Sequence, residues 1–515
     1  MGGKSNSETL KREKKKRMNL IQKYFDAFSK NSIRDAFCLQ DEKYSYREFF
    51  QFVNGSRNLL QSQPFFEPQT PVGILCYENV ETYAAVFAVW FSGGIFVPLN
   101  PEVPVLANQE LIRKFQIKYV FEPVKNDKPV QFDGVKVLNN KNVVSEEKPP
   151  LFQWEENHTL YVLNTSGSTG TPKNVPISLK NLTAFIEGYL EKYPELNADD
   201  KFLQTYELTA DAAFTGYLIP FLLGATVYSV PHNTFKPFAV AKILSENSVT
   251  WVKATPTLIA CLRPFFSSFH LPEIRHFHFG GEALPADLIA AWRLCVPNAE
   301  ISNGYGPTET SVTATIYKCM PGETIKEKNN IVSIGQPFKE VEIYIKPISG
   351  KTEKAGEIYI GGPQMMTGYW FSEKQPFKIL NVNGRNKKFY PTGDKVCIDN
   401  DGFLYFLGRL NDQVKINGYR IDLVEIENGV RKLAPGTGNV AAIAADKSGG
   451  LKQLVVFIER YNGNGKEITE AMALNFPSYK IPEKIIGLPE FPVNRSGKTD
   501  KKKLAAYFLS LQNHD

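Results

Sequence analysis

The sequence predicts an α/β protein that ends in a smaller α+β unit. Three observations predict it. From about Met18 to Gly408, apolar runs of strand length alternate with helical patterns, which argues for partly parallel sheets layered with helices. The 515 residues exceed what one hydrophobic core usually serves, so two or more domains are expected. After Gly408-Arg409 the pattern restarts at Gln413-Val414-Lys415-Ile416 and continues to the end of the chain as a unit of roughly 100 residues.

The elements follow in order. Residues 1–17 read as a solvated, disordered arm, because Lys11–Arg17 holds six bases and one acid. Thr82–Phe91 reads as a helix and Ile95–Leu99 as a strand. Leu160-Tyr161-Val162-Leu163 is a buried strand, and Asn181 is placed as the N-cap of a helix running to about Lys192. Ala225–Val230 and residues 275–279 are strands. From about Val341 to Leu407 short strands dominate, including Glu342–Ile345 and Glu357–Ile360, so this stretch is read as a β subdomain.

Composition narrows the function. Hydrophobic content of 43% and charged content of 22% fit a soluble globular protein. The net charge of +6 resides almost entirely in the arm, which argues against a nucleic-acid surface. The most apolar region, Ala84–Leu99, is broken by Ser92-Gly93-Gly94 and Pro98. It is shorter than the roughly 20 residues that span a bilayer. Six scattered cysteines form no CxxC pair and read as reduced thiols of a cytoplasmic protein. His276 and His278 share one strand face, but with no third ligand nearby they read as core histidines rather than a metal site.

The sharpest chemical signal is Thr165-Ser166-Gly167-Ser168-Thr169-Gly170-Thr171-Pro172-Lys173, directly after a strand. Its amides and hydroxyls can turn toward one anion, and Lys173 adds a charge, so it is read as a phosphate-cradling loop. The Walker form needs four residues between its first Gly and a Gly-Lys pair, and this loop lacks that spacing.

Further polar motifs follow in series: Gly280-Gly281-Glu282, Asn303-Gly304-Tyr305-Gly306-Pro307-Thr308-Glu309, Tyr390-Pro391-Thr392-Gly393-Asp394, Gly408-Arg409-Leu410-Asn411-Asp412 and Asn494-Arg495-Ser496-Gly497-Lys498. Together, in this order, they resemble the core motifs of the adenylate-forming (AMP-binding) enzyme superfamily. Within it the chain looks most like stand-alone amino-acid adenylation domains of nonribosomal peptide synthetases and D-alanine–carrier-protein ligases. The resemblance implies two α/β sheet subdomains and a β subdomain within residues 18–410, then a small mobile α+β lid, residues 411–515, hinged at Asn411.

It also implies roles. Thr165, Ser166, Gly167, Ser168, Thr169, Gly170 and Lys173 would hold the phosphates of ATP that leave as pyrophosphate. Gly280, Gly281, Glu282, Gly304, Gly306 and Thr308 would complete the nucleotide site. Tyr305 offers a face for adenine, and Asn303 a donor and an acceptor for its edge. Glu309 would bind Mg²⁺, Asp394 the ribose hydroxyls, and Arg409 would add charge near the ribose or phosphates. Lys498 would be the catalytic cation, bridging substrate carboxylate and α-phosphate. Gly418, in a loop expected to rotate into the site, would leave room for a pantetheine arm. Asn174 stands where Gly usually follows the loop's Pro-Lys.

Aligned on Gly224-Ala225, Asp211 takes the position that meets the substrate α-ammonium, with Glu207 as the alternative. The rest of the substrate pocket would be Ala212, Thr215, Lys253, Phe277, Phe279, Gly304, Val312 and Thr313. Phe279 favours a small side chain such as alanine or serine, whereas a pocket-facing Lys253 favours an acidic or amide one. The implied reaction forms an aminoacyl adenylate and transfers it to a thiol. Only 17 residues follow Lys498, so the acceptor is expected to be a separate carrier protein or coenzyme A. A monomer is expected. An acyl- or aryl-CoA synthetase and a non-catalytic nucleotide-binding homologue remain the alternatives.

Overall fold

Twelve consecutive residues, Val80–Phe91, form a helix buried on every side. Asn79 caps it by accepting from the Thr82 amide at 3.0 Å, and it ends ahead of Gly93, whose φ of +87° suits glycine. This computed structural model describes residues 19–125, 130–165, 173–232, 234–348, 354–410, 413–434, 438–447, 451–492 and 499–512. The basic arm, Ser166–Pro172 of the small-residue loop, Asn411 and Lys498 lie outside the described residues.

The buried helix belongs to a core shared by two sheets. A six-stranded sheet runs in the order Lys136–Asn139, Tyr119–Glu122, Pro71–Leu75, Ile95–Leu99, Thr159–Thr165, Lys173–Ser178. Only its last pair is antiparallel. A nine-stranded sheet carries a parallel centre, Glu300–Tyr305, His276–Gly280, Trp251–Ala254, Lys201–Gln204, Thr226–Ser229 and Asp35–Leu39. Strands of this kind are covered on both faces and read as continuous apolar runs. The shared core also takes side chains from helices Leu20–Lys30, Tyr46–Gln61, Leu179–Lys192 and Ala213–Leu223, and a second core covers the other face of the larger sheet.

The β subdomain is a five-stranded antiparallel sheet built from Glu342–Pro347, Ala355–Gly361, Lys378–Val382, Arg385–Ile398 and Leu404–Arg409. Beyond it, the hairpin Gln413–Ile416/Tyr419–Asp422 leads into a three-stranded sheet, Val440–Asp446, Lys452–Glu459 and Lys484–Leu488. Helices Leu423–Leu433, Gly465–Ala473 and Lys501–Gln512 pack on it, giving the α+β unit its own cores. No helix among the described residues is long and apolar enough to cross a membrane.

One expected cap moves. The helix Leu179–Lys192 is capped by Ser178, not Asn181. Asn181 is the third helical residue, and its Oδ1 accepts from the Ser178 amide at 3.0 Å while Ser178 Oγ accepts from the Asn181 amide at 3.3 Å. This capping box uses Asn where Glu or Gln is usual. Asn181 also donates to the carbonyls of Pro363 and Met365 at 2.7 and 2.9 Å, tying the helix to the β subdomain.

Candidate active site

The carboxyl ends of the central parallel strands, the β subdomain and the C-terminal hairpin border one cleft of about 1630 Å³. Such strand ends are where open α/β sheets bind ligands. Thr165 and Lys173 are Cα partners at the end of their antiparallel pair, and Thr165 lines the cleft. Lys173 places its Nζ 5.2 Å from the centre of the Tyr369 ring. Burial lowers its pKa, with Glu309 nearby opposing the shift.

Two glycines make room here by necessity. A Cβ on Gly306 would meet the Ala314 amide nitrogen at 2.8 Å, and one on Gly304 would meet His278 Nε2 at 2.6 Å. The following Tyr305 donates its hydroxyl to Asp394 Oδ2 at 2.7 Å. Arg409 Nε lies 2.8 Å from Asp394 Oδ1, and Arg409 Nη2 donates to the Thr392 carbonyl at 2.8 Å. Tyr305, Asp394 and Arg409, drawn from three strands, thus form one connected group beside the cleft. Asn303 differs from its expected role in one respect. Its Nδ2 is committed to the Ser333 carbonyl at 3.0 Å, and only the buried Oδ1 has no hydrogen-bond partner. The side chain therefore presents an acceptor, not a donor–acceptor pair.

Glu309 is fully buried. Tyr369 donates to its Oε1 at 2.7 Å, and Arg420 Nη1 lies 3.5 Å from its Oε2. Burial alone would raise its pKa, but Arg420 and the Tyr390 and Tyr369 hydroxyls hold it below the usual value. Arg420 comes from the C-terminal hairpin, which occupies one side of the cleft. The Gly418 amide donates to Glu282 Oε1 at 2.6 Å, and Glu282 Oε2 accepts from the Thr257 amide at 3.0 Å. Gly418 has φ +84°, and a Cβ there would meet Thr255 Cγ2 at 2.9 Å, so the close approach demands glycine. Tyr419 donates to Glu207 and stacks on Tyr479 at 4.0 Å. Lys415 lines the cleft, its pKa lowered by burial against the pull of Asp394.

Glu207, held by Tyr419 and lying 3.7 Å from Lys236 Nζ, is engaged outside the substrate role weighed for it. Asp211 lines the cleft with Ala212, and its buried Oδ2 has no hydrogen-bond partner. Burial raises the Asp211 pKa, against the Thr308 hydroxyl, Lys253 and Lys415.

The deeper pocket corrects the sequence reading. Phe277 and Phe279 do not face the cleft. They lie 4.9 Å apart in the core on the opposite face of the sheet, where Phe277 packs on Trp292 at 5.4 Å. Alternation along His276–Gly280 puts His278 and Gly280 on the cleft side instead. The shallow-pocket argument from Phe279 therefore falls. Lys253 does face the cleft, with Nζ donating to Thr215 Oγ1 at 2.9 Å, so Thr215 stands behind the lysine. Val312, Thr313 and Gly304 also line the cleft. His278, Lys415, Arg420 and Tyr369 were absent from the expected site. His276, on the same face as His278 but outside the cleft, lies between Glu195 and Glu300, each opposite a different ring nitrogen at 3.5 and 3.8 Å. Lys318 sits 2.9 Å from Glu300, so the group reads as a charge cluster.

A two-sheet α/β body with a strand-end cleft, faced by a small α+β unit, defines a nucleotide-binding enzyme whose second unit reaches into its site. Residues 25–370 match the AMP-binding enzyme family, and the chain belongs to that family of adenylate-forming enzymes. A plipastatin synthase polypeptide of Bacillus subtilis (strain 168) is 30% identical over 474 residues, which is 90% of this chain and 13% of that protein. The chain thus spans a small part of that relative's length. PA1221, an NRPS protein containing adenylation and PCP domains, shares the fold with a TM-score of 0.82 at 22% identity, covering 94% of this chain and 84% of that one. A double mutant of o-succinylbenzoate CoA synthetase (MenE) from Bacillus subtilis does so with a TM-score of 0.80 at 21% identity, over 94% and 98%.

Proposed function

We propose that the chain activates an amino acid as its aminoacyl adenylate, releasing pyrophosphate, and passes it to the phosphopantetheine thiol of a separate carrier protein. The observation that carries this reading is Asp211. It is a carboxylate at the cleft with an unpartnered buried oxygen, and a substrate ammonium is the group that would satisfy it. Tyr305, Asp394 and Arg409 would hold the adenosine, and Thr165 and Lys173 would meet the phosphates at the mouth of the loop. Lys498 would supply the cation that stabilises charge between the substrate carboxylate and the α-phosphate. Little covalent chemistry falls to the protein, because positioning and charge carry phosphoryl displacement.

A magnesium ion fits Glu309 by chemistry, since a carboxylate held ionised is a hard oxygen donor. There it would neutralise phosphate charge. Arg420 already faces Glu309 Oε2, so the hairpin and the ion would draw on one carboxylate. This supports the two-stage reading: adenylation with the hairpin away, and thioester formation with the hairpin in the cleft, as it lies here. The likeness to PA1221 supports a carrier-protein acceptor.

A second reading, an acyl- or aryl-CoA synthetase, draws on the attraction between Lys253 and Asp211, which would balance Asp211 without a substrate ammonium. ATP–pyrophosphate exchange separates the two. With amino acids assayed as both enantiomers, the preferred one should support exchange, and its matched acid lacking the α-amine should fall at least about 100-fold below it, the scale of a lost buried charge pair. Equal exchange from deaminated acids would favour the synthetase reading, and no exchange from any acid a non-catalytic protein.

A further inference from the structure

The inner end of the cleft collects groups that a small apolar side chain would leave without partners. Lys253 is 2% exposed, and Thr215 Oγ1, at 2.9 Å, is its hydrogen-bond acceptor. His278 is fully buried, with Nδ1 3.5 Å from the Tyr189 hydroxyl and Nε2 without a hydrogen-bond partner. These two side chains converge. A Cβ placed on Gly280 would lie 3.8 Å from both His278 Nε2 and Lys253 Cε. A Cβ on Gly304 would touch the same Nε2 and would stand 3.2 Å from Thr313 Cγ2. His278 Nε2 thus packs directly over Gly304, and His278, Lys253 and Gly280 together line the inner end of the cleft.

We propose that this space receives the side-chain carboxylate of a dicarboxylic amino acid, with Lys253 as its counter-ion and His278 as a hydrogen-bonding partner. The inference rests on the amino-acid reading of the site and names the substrate class.

Charge pairing carries the argument. Asp211 is the carboxylate that attracts Lys253, and in the amino-acid reading it is taken by the substrate α-ammonium. Lys253 is then a buried cation with a neutral hydroxyl and the Tyr206 ring, 5.5 Å from its Nζ, but no counter-ion, which low-dielectric surroundings penalise. Burial already pulls its pKa to about 7. An anionic side chain restores the pairing: one carboxylate to each cation, two of each. An alanine or serine side chain leaves Lys253 uncompensated. An amide offers Lys253 an oxygen acceptor but supplies no charge. His278 is kept neutral, because burial and the nearby lysine lower its pKa, so it contributes a hydrogen bond rather than a second charge. The Tyr189 hydroxyl can donate to Nδ1, and in that arrangement the imidazole carries its proton on Nε2, the donor a carboxylate needs.

The test is ATP–pyrophosphate exchange by the full chain with aspartate, glutamate, asparagine, glutamine, alanine and serine, each as both enantiomers. Aspartate or glutamate should exceed its own amide and alanine at least tenfold in kcat/KM. Lys253→Met should cost that dicarboxylic substrate at least a hundredfold and shrink its lead over the amide to less than threefold. AMP binding by the variant reports its folding, and if the variant fails to fold the wild-type panel decides alone. Alanine, serine or an amide leading the panel would overturn the inference and leave the amino-acid reading standing. Exchange with succinate or aryl acids but with no amino acid would overturn both.

Discussion

Arg420 of the C-terminal hairpin and Glu309 of the nucleotide motif form a buried ion pair, Nη1 to Oε2 at 3.5 Å, across the cleft. The carboxylate expected to hold Mg²⁺ is thus shared with a residue of the other structural unit. Arg420→Ala should therefore weaken the hairpin-docked state and lower thioester formation about tenfold more than adenylation, the size of one charge-assisted contact. Pyrophosphate exchange set against single-turnover loading of pantetheine separates the two. Equal losses in both would detach the pair from the transfer step.

Asp394 joins Tyr305 at 2.7 Å to Arg409 at 2.8 Å. Asp394→Ala removes the acceptor of the Tyr305 hydroxyl and the counter-ion of the largely buried Arg409 guanidinium. AMP affinity measured by calorimetry should fall roughly 10- to 100-fold, in line with about 1.5–3 kcal/mol for hydrogen bonds to charged groups. Unchanged affinity would place the nucleotide elsewhere in the cleft.

Gly304 has no room for a side chain beside His278. The methyl group of Gly304→Ala would meet His278 Nε2 and push the imidazole into the space assigned to the substrate side chain. KM for the amino acid should rise about tenfold or more, consistent with an overpacking cost of about 1–3 kcal/mol. Titration of AMP alone should change far less, and an equal effect on both ligands would show a general collapse of the cleft.

Lys253 sets a pH dependence. Its folded-state pKa is depressed to about 7, so the empty site is charged below that pH and neutral above it. A dicarboxylic substrate binds the charged form and must draw in a proton at higher pH. Its KM should rise about tenfold per unit from about pH 7 to 8.5, and the rise should vanish in Lys253→Met. The empty fold follows the same linkage. An unfolded lysine near 10.5 holds a proton that the folded one has lost, so stability from this group rises with pH between about 7 and 10.5. A flat wild-type KM profile would contradict the assignment.

The α/β class was legible because buried parallel strands leave continuous apolar runs, and the motif series was legible because it is local. The pocket was not. Along His276-Phe277-His278-Phe279 both faces of the strand are buried, so burial gives no sign of which face meets the cleft, and a slip of one residue exchanges phenylalanine for histidine. The cap at Ser178 was missed for a related reason: either Ser178 or Asn181 can cap, and what selects Ser178 is its pairing with Asn181 three residues on. Arg420 reaches Glu309 across 111 positions of sequence, a relation that no local pattern encodes.

The central claim is that Asp211 binds a substrate ammonium, and one comparison tests it most directly. ATP–pyrophosphate exchange is measured for the preferred amino acid and for its deaminated counterpart, in the wild type and in Asp211→Ala. The account predicts that the wild type prefers the amino acid at least about 100-fold and that the variant loses that preference while still binding AMP. An Asp211→Ala enzyme that exchanges with the amino acid as well as the wild type does would contradict it.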